Sequence, residues 1–431
     1  MFGLGEASVR VLRGKTRVSR GDPGLGFLHG SFKKRIAIVH PGLGLGGSEL
    51  TAMWMLQSLQ HHEKYSPTLV TGGTVDWSRL NIWSGTNVIP EKITIQTAYI
   101  PIGLRHGKWG DALHAAFFER YCRKLGGHYD LCISAYNMLD FGAPGLQFIG
   151  DLNRTQTSLP ESVYPGGLFP GLIRREGVPR ATYLAICRKL RGPHTEFGGS
   201  GSGIISNSHW TRQKIEELYG IKSQVLYPPV ALDGSGEALC ETRTQDFVIL
   251  GRLSPEKRVG DAIAIIQKVR ERGHKVRLHV LGSAGPRSAY AAHIRDLCQR
   301  AGSWVVLHGA VAGEEKRRQL LAHSFGLHLR LDEAFGIAVA EQIRMGMIPF
   351  VPSTGGPAEI VEDPCLIFGS DEEAVERIVR VMDDLDLQRQ LRERLTVRGE
   401  LFSSGRFVRE FESLIEDWFA GRLDGTRGTG S

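Results

Sequence analysis

The chain has 431 residues, 41% hydrophobic and 23% charged. This is ordinary globular usage with material for two or three domains, and it excludes a fully disordered chain or a staple-dependent miniprotein. The net charge is +7, but residues 1–35 alone carry eight basic and two acidic side chains, so the body is nearly neutral and does not read as a nucleic-acid binder. Glycine, 54 of 431, exceeds its usual share of about 7% without a Gly-X-Y period, which assigns the surplus to turns and close-approach loops.

Residues 1–34, rich in Gly, Arg and Ser, read as a disordered basic tail. They contain no continuous apolar h-region, and the chain has no run of 18 apolar residues, so neither secretion nor a membrane span is expected. The six cysteines form no C-x-x-C pair and read as reduced thiols, which suits a cytoplasmic protein. From Arg35 the pattern alternates short apolar runs with amphipathic stretches. Arg35–His40 predicts a buried strand, a glycine loop follows, and about Ser48–Gln60 predicts a helix. Further strands are expected at 67–71, 94–100, 130–135, 146–149 and 203–206. This is the βαβ rhythm of a parallel sheet, giving an α/β domain over 35–227.

Residues 228–245, with Pro228, Pro229 and two glycines, break the period and read as a linker. The rhythm restarts over 246–400, with strands expected at 247–250, 276–281, 304–308, 325–330, 348–352 and 365–368. A final amphipathic helix falls in 401–420, and 421–431 reads as a disordered tail. Two doubly wound domains leave a cleft, and ligands of such sheets sit beyond the carboxyl ends of the strands.

Three stretches carry chemistry. Gly42, Gly44 and Gly47 fit G-x-G-x-x-G after a strand, but Thr71-Gly72-Gly73-Thr74 stands where a dinucleotide fold would place its carboxylate. A loop whose backbone N–H groups approach an anion, and a plain glycine turn, both fit what remains. Arg252 and Lys257 flank a Pro-stiffened turn after the first strand of the second domain, where two cations can clamp one diphosphate. Glu333 and Glu341 stand eight apart, and with a helix starting near Phe335 they bracket the N–H groups of Phe335, Gly336 and Ile337.

Gly46-Gly47-Ser48-Glu49, Arg252 with Lys257, the Glu-x7-Glu stretch and Gly355-Gly356-Pro357-Ala358-Glu359-Ile360-Val361 together resemble the GT-B retaining glycosyltransferases of family 4, in order from about residue 35 to 400. Gly326-Leu327-His328 before Glu333-Ala334-Phe335-Gly336-Ile337 is similar to the branch containing the dolichol-linked oligosaccharide mannosyltransferase. The resemblance implies two Rossmann-like domains, a GDP- or UDP-linked sugar donor, a glycan, lipid-linked or small-molecule acceptor, a role in polysaccharide biosynthesis, and no metal or other cofactor. It implies that Arg252 and Lys257 bind the diphosphate, Glu341 the ribose, and Glu333 with the Phe335–Ile337 backbone the sugar and phosphate. Gly46 and Gly47 would approach the donor sugar, and the loop ending at Val311 the nucleobase.

Where many relatives carry a histidine, this chain has Gly150-Asp151. Asp151 either orients a hydroxyl or takes a proton, or it caps a turn. A donor-binding protein without turnover is therefore the alternative expectation. The Asp384-Leu385-Asp386 match to a metal-binding pair reads as a charged helix face. Residues 169–192 interleave six basic residues with apolar ones, the composition of a peripheral membrane contact at the inner face or of a surface helix with snorkelling arginines.

Overall fold

The first strand is set by its composition: Ile36-Ala37-Ile38-Val39 has no polar side, and all four residues are fully buried between helices, as a central parallel strand must be. The structure is a computed structural model that describes residues 33–98, 111–152, 177–192, 201–232, 243–283 and 288–423, all within one unit, Lys33–Ser431. The tails expected to be disordered fall almost wholly outside these residues, as do 233–242 of the linker and 169–176 of the basic stretch.

The first lobe runs β1 (Lys34–His40), α1 (Gly47–Leu59), β2 (Tyr65–Thr71), α2 (Trp77–Ser84), β3 (Thr94–Thr97), α3 (Asp111–Cys122), β4 (Leu131–Ser134), β5 (Leu146–Ile149), α4 (Val178–Arg191), β6 (Gly203–Ser206), α5 (His209–Tyr219) and β7 (Gln224–Val225). Its strands are all parallel in the order β3-β2-β1-β4-β5-β6-β7. The second lobe runs β8 (Thr244–Leu250), α6 (Val259–Glu271), β9 (Leu278–Leu281), α7 (Ala289–Ala301), β10 (Val305–Gly309), α8 (Gly313–Ala322), β11 (His323–Leu327), α9 (Ile337–Arg344), β12 (Ile348–Pro352), α10 (Gly356–Val361) and β13 (Ile367–Phe368). Its parallel order is β10-β9-β8-β11-β12-β13. The order reverses between β1 and β4 and again between β8 and β11. Loops leaving these strands diverge there, which opens a crevice at each carboxyl edge.

Three helices close the chain: α11 (Asp371–Asp383), α12 (Leu385–Gly399) and α13 (Ser404–Phe419). The last crosses back, and its Phe407, Phe411 and Ile415 join Met53, Leu56 and Leu59 in the core of the first lobe. The return passes beside the outward linker: Val230 N donates to Phe402 O at 2.9 Å. Two adjacent strands of chain therefore connect the lobes. β8 starts at Thr244, earlier than its apolar run suggests, because Thr244 pairs with His323 of β11.

On one face of the second sheet, side chains of β8–β11 bring Asp246, His279, His308 and His323 together. His279 Nδ1 lies 2.9 Å from His308 Nε2, and Thr244 Oγ1 lies 2.8 Å from His323 Nδ1. Asp246, His279 and His323 place ligand atoms within 4.8 Å of one another, and the His279 and His323 rings stack with centroids 3.9 Å apart. Burial, with His279 and Arg243 adding to it and Asp246 opposing, pushes His323 down to about 4, and burial also lowers His308. An unfolded histidine titrates near 6.5, so this stabilising preference for the neutral ring is complete above that pH and is lost as pH falls toward 4. Between pH 7.5 and 5 this one group costs the fold about 2 kcal/mol. Denaturant titrations at both pH values should show His323→Phe losing less stability on acidification than the parent; equal losses would rule out this origin.

Candidate functional site

The turn after β8 is a single 3-10 turn, Pro255–Lys257, closed by Arg258 in the left-handed region at φ 51°. Arg258 holds that turn by donating to Asp261 at 2.6 Å and to Asp371 at 3.0 Å. The result aims Lys257 across the edge of the sheet at the loop leaving β11. Its Nζ donates to both oxygens of Glu333, at 2.8 and 3.1 Å. His328 Nε2 stands 2.8 Å from the same carboxylate and Arg330 3.7 Å from it. Burial would raise the Glu333 pKa, yet Lys257, His328 and Arg330 hold it well below the usual carboxylate range. Burial lowers His328 against the pull of Glu333.

The two cations expected on one diphosphate thus lie differently. Lys257 is in the cleft wall, paired with Glu333. The Arg252 side chain is 68% exposed, with Glu256 at 4.0 Å as its recorded acidic neighbour.

The helix after Glu333 starts two residues later than expected. Gly336, at φ 104°, is its N-cap, and α9 begins at Ile337, so the Phe335 and Gly336 N–H groups belong to a loop. That φ suits glycine, which carries no Cβ to clash. Glu341 then lies four residues into the helix, about 6 Å along its axis. It is buried, and Lys316 of α8 donates to its Oε1 at 2.6 Å. Val311, just before α8, packs against the apolar group around Val248 and Leu320.

The first lobe closes the cleft from the other side. Gly46 caps α1, and a Cβ on Gly47 would meet Ile337 Cδ1 at 2.7 Å, so the glycine loop lies directly against the start of α9. Asp151 follows β5; its backbone N–H and that of Gly150 donate to Asn137 Oδ1. Its carboxylate lies 3.8 Å from Arg330. One guanidinium therefore spans Asp151 of the first lobe and Glu333 of the second. Asp384 caps α12 through Leu387 N, and Asp386 pairs with Arg389, so the Asp-x-Asp match is helix-start chemistry.

Two residues were given no role of their own by the sequence reading. His40 ends β1, accepts from Gly42 N and lies 3.1 Å from Ser48 Oγ, which donates to Glu49. Its place at the last position of the strand beside the reversal of order was the available signal. Glu359 of α10 accepts from His209 N and Trp210 N, each at 3.0 Å, and from Tyr227 OH at 2.6 Å. It supplies a negative charge to the N-terminus of α5 from the opposite lobe. Beside this seam Ser208 Oγ donates to Ala334 O at 2.5 Å.

Two doubly wound lobes facing across a cleft, with charges gathered where strand order reverses, are the GT-B arrangement found in glycosyltransferases. Residues 238–398, the second lobe, match the family Glycosyl transferases group 1. A GDP-Man:Man(3)GlcNAc(2)-PP-Dol alpha-1,2-mannosyltransferase of Xenopus laevis is 24% identical, with 89% of this chain and 87% of that protein aligned. Among solved structures, sucrose-phosphate synthase of Thermosynechococcus elongatus aligns over 90% of this chain and 100% of its own with TM-score 0.64 at 15% identity. Anabaena Alr3699/HepE, solved with UDP and glucose, covers 89% of this chain and 99% of its own at TM-score 0.60 and 15% identity.

Gly356 makes the Glu333 loop possible. A Cβ there would sit 2.5 Å from Ala334 O and 2.6 Å from Phe335 Cα, both backbone atoms that cannot step aside. Gly356→Ala should cost about 1–3 kcal/mol and displace Glu333. Thermal unfolding and turnover measured together check this; unchanged values in both would contradict the packing described.

Proposed function

We propose that the cleft binds a nucleotide-diphosphate sugar and transfers the sugar with retained configuration. Lys257 and Arg252 meet the diphosphate, Glu333 and the Phe335–Ile337 backbone hold the sugar and phosphate, and Glu341 takes the ribose. The loop at Val311 faces the base, and Gly46 and Gly47 let the first lobe come close. The observation that carries this reading is the Lys257–Glu333 pair at the reversal between β8 and β11, reached from the first lobe through Arg330 and Asp151. In the transfer, the bond from the anomeric carbon to the diphosphate oxygen breaks and the bond to the acceptor oxygen forms on the same face. The acceptor proton passes to the departing diphosphate, and Asp151 orients the acceptor hydroxyl. Cationic side chains supply the charge stabilisation, so no metal or other cofactor is assigned.

The Xenopus laevis relative favours GDP-mannose as donor and a lipid-linked glycan as acceptor. The alternative of binding without turnover rests on Asp151 alone. Purified protein should transfer mannose from GDP-mannose to a pyrophosphoryl-lipid oligosaccharide, equally with and without chelator. Lys257→Ala and Glu333→Ala should each cut kcat at least about 100-fold. Near-parental rates in both overturn the assignment, and nucleotide binding without any transfer favours the alternative.

We further propose that the protein is cytoplasmic and meets the inner membrane face peripherally through α4. No helix among the described residues is long and apolar enough to cross a membrane. On α4, Val178, Ile186, Arg188 and Lys189 are exposed, while Cys187 turns inward. Apolar and basic groups on one outward face suit an anionic lipid surface. Arg188→Glu with Lys189→Glu should lower sedimentation with phosphatidylglycerol vesicles at least about tenfold; equal binding to neutral vesicles by the parent would exclude this surface.

A further inference from the structure

Lys316 is a lysine where burial is expensive. Its side chain is 6% exposed, that of Glu341 8%, and the 2.6 Å contact joins them. An ammonium out of water is tolerated only when paired, so the two residues are committed to each other. The far side of the ammonium is covered by the other lobe: Nζ lies 5.2 Å from the centroid of the Trp83 ring of α2. The Trp83 indole Nε1 is buried and has no hydrogen-bond acceptor among the described residues. One turn away, a Cβ on Gly313 would touch Ile82 Cγ2 at 3.4 Å, so α2 and the start of α8 are in contact.

From these contacts we infer that Trp83 and Lys316 are positioning residues that couple closure of the two lobes to the grip on the donor's ribose. The inference rests on the donor site described above, with Glu341 as the ribose acceptor. A carboxylate accepts about four hydrogen bonds, so Glu341 can keep Lys316 on Oε1 and offer its remaining sites to a ribose diol. Lys316, held on Oε1 at 2.6 Å, fixes the direction of that carboxylate. Trp83 shields the ammonium by presenting its electron-rich face, an attraction that strengthens as water is excluded. Separating the lobes removes the ring, admits water to the pair and loosens the carboxylate. Reciprocally, a ribose that needs Glu341 held in place favours the closed lobes.

The test is GDP and GDP-mannose binding by calorimetry with the full-length protein, together with steady-state kinetics. Trp83→Leu and Lys316→Met should each weaken GDP binding about tenfold, the size of one lost close contact. The double variant should be little worse than either single one, because both remove the same contact. KM for GDP-mannose should rise about tenfold with kcat within about threefold, since the ribose end is remote from the bond that breaks. Lys316→Arg and Trp83→Phe, which keep the charge and the ring face, should bind within about threefold of the parent. GDP binding within twofold of the parent in both disruptive variants, or strictly multiplicative losses in the double variant, overturns the coupling. If the parent itself binds neither GDP nor UDP, the donor-site reading fails first and this inference falls with it.

Discussion

The half-buried Glu333 carboxylate, its side chain 16% exposed, is the constraint around which the second lobe's edge is arranged. A carboxylate with that little solvent costs several kcal/mol in desolvation unless cations and hydrogen bonds replace the water. Lys257, His328 and Arg330 replace it from three directions. Each supply has a local cause. Arg258 in its left-handed turn fixes Lys257, β11 delivers His328 from its end, and the loop carrying Arg330 is seated on Gly355 and Gly356. Replacing any one of these with an apolar group would leave charge without compensation, so the cluster constrains the backbone of two strand ends at once.

The seam between lobes follows the same logic with weaker parts. Glu359 satisfies the first N–H groups of α5, and Ser208 reaches the Ala334 carbonyl, so backbone groups of each lobe are completed by the other. The Val230–Phe402 contact ties the outgoing chain to the returning one. With α13 packed into the first lobe, motion between the lobes is confined to the two neighbouring crossings.

Much of the architecture was legible because parallel strands buried on both faces read as unbroken apolar runs. Ile36–Val39, Phe247–Leu250 and Ile348–Val351 announce themselves in this way. Boundaries that depend on pairing or on a single dihedral were not legible. Thr244 extends β8 only because His323 lies opposite, and α9 waits for Gly336 because that residue adopts φ 104°. Charged pairs were the least legible. Motif spacing singled out Lys257, Glu333 and Glu341 as a set, but nothing in it could show that Lys257 takes Glu333, that Lys316, 25 positions earlier on another helix, takes Glu341, or that Arg252 faces solvent.

The pairing of every prominent carboxylate in the cleft has a consequence for how an anionic donor is accommodated. Among the described residues, Arg252, Lys257, Arg330 and Lys316 are matched by Glu256, Glu333, Asp151 and Glu341. On the donor site proposed above, an entering diphosphate meets cations that already have partners. On that reading it shares them, and the carboxylates freed in part become acceptors for the hydroxyls of the sugar and ribose that arrive with it. Exchange of partners keeps buried charge compensated at every stage. It also makes affinity depend on all three portions of the donor together: phosphate alone competes poorly with Glu333 for Lys257, and a sugar alone finds Glu333 already satisfied. On that reading, selectivity for the intact nucleotide sugar is a property of the ion pairs themselves.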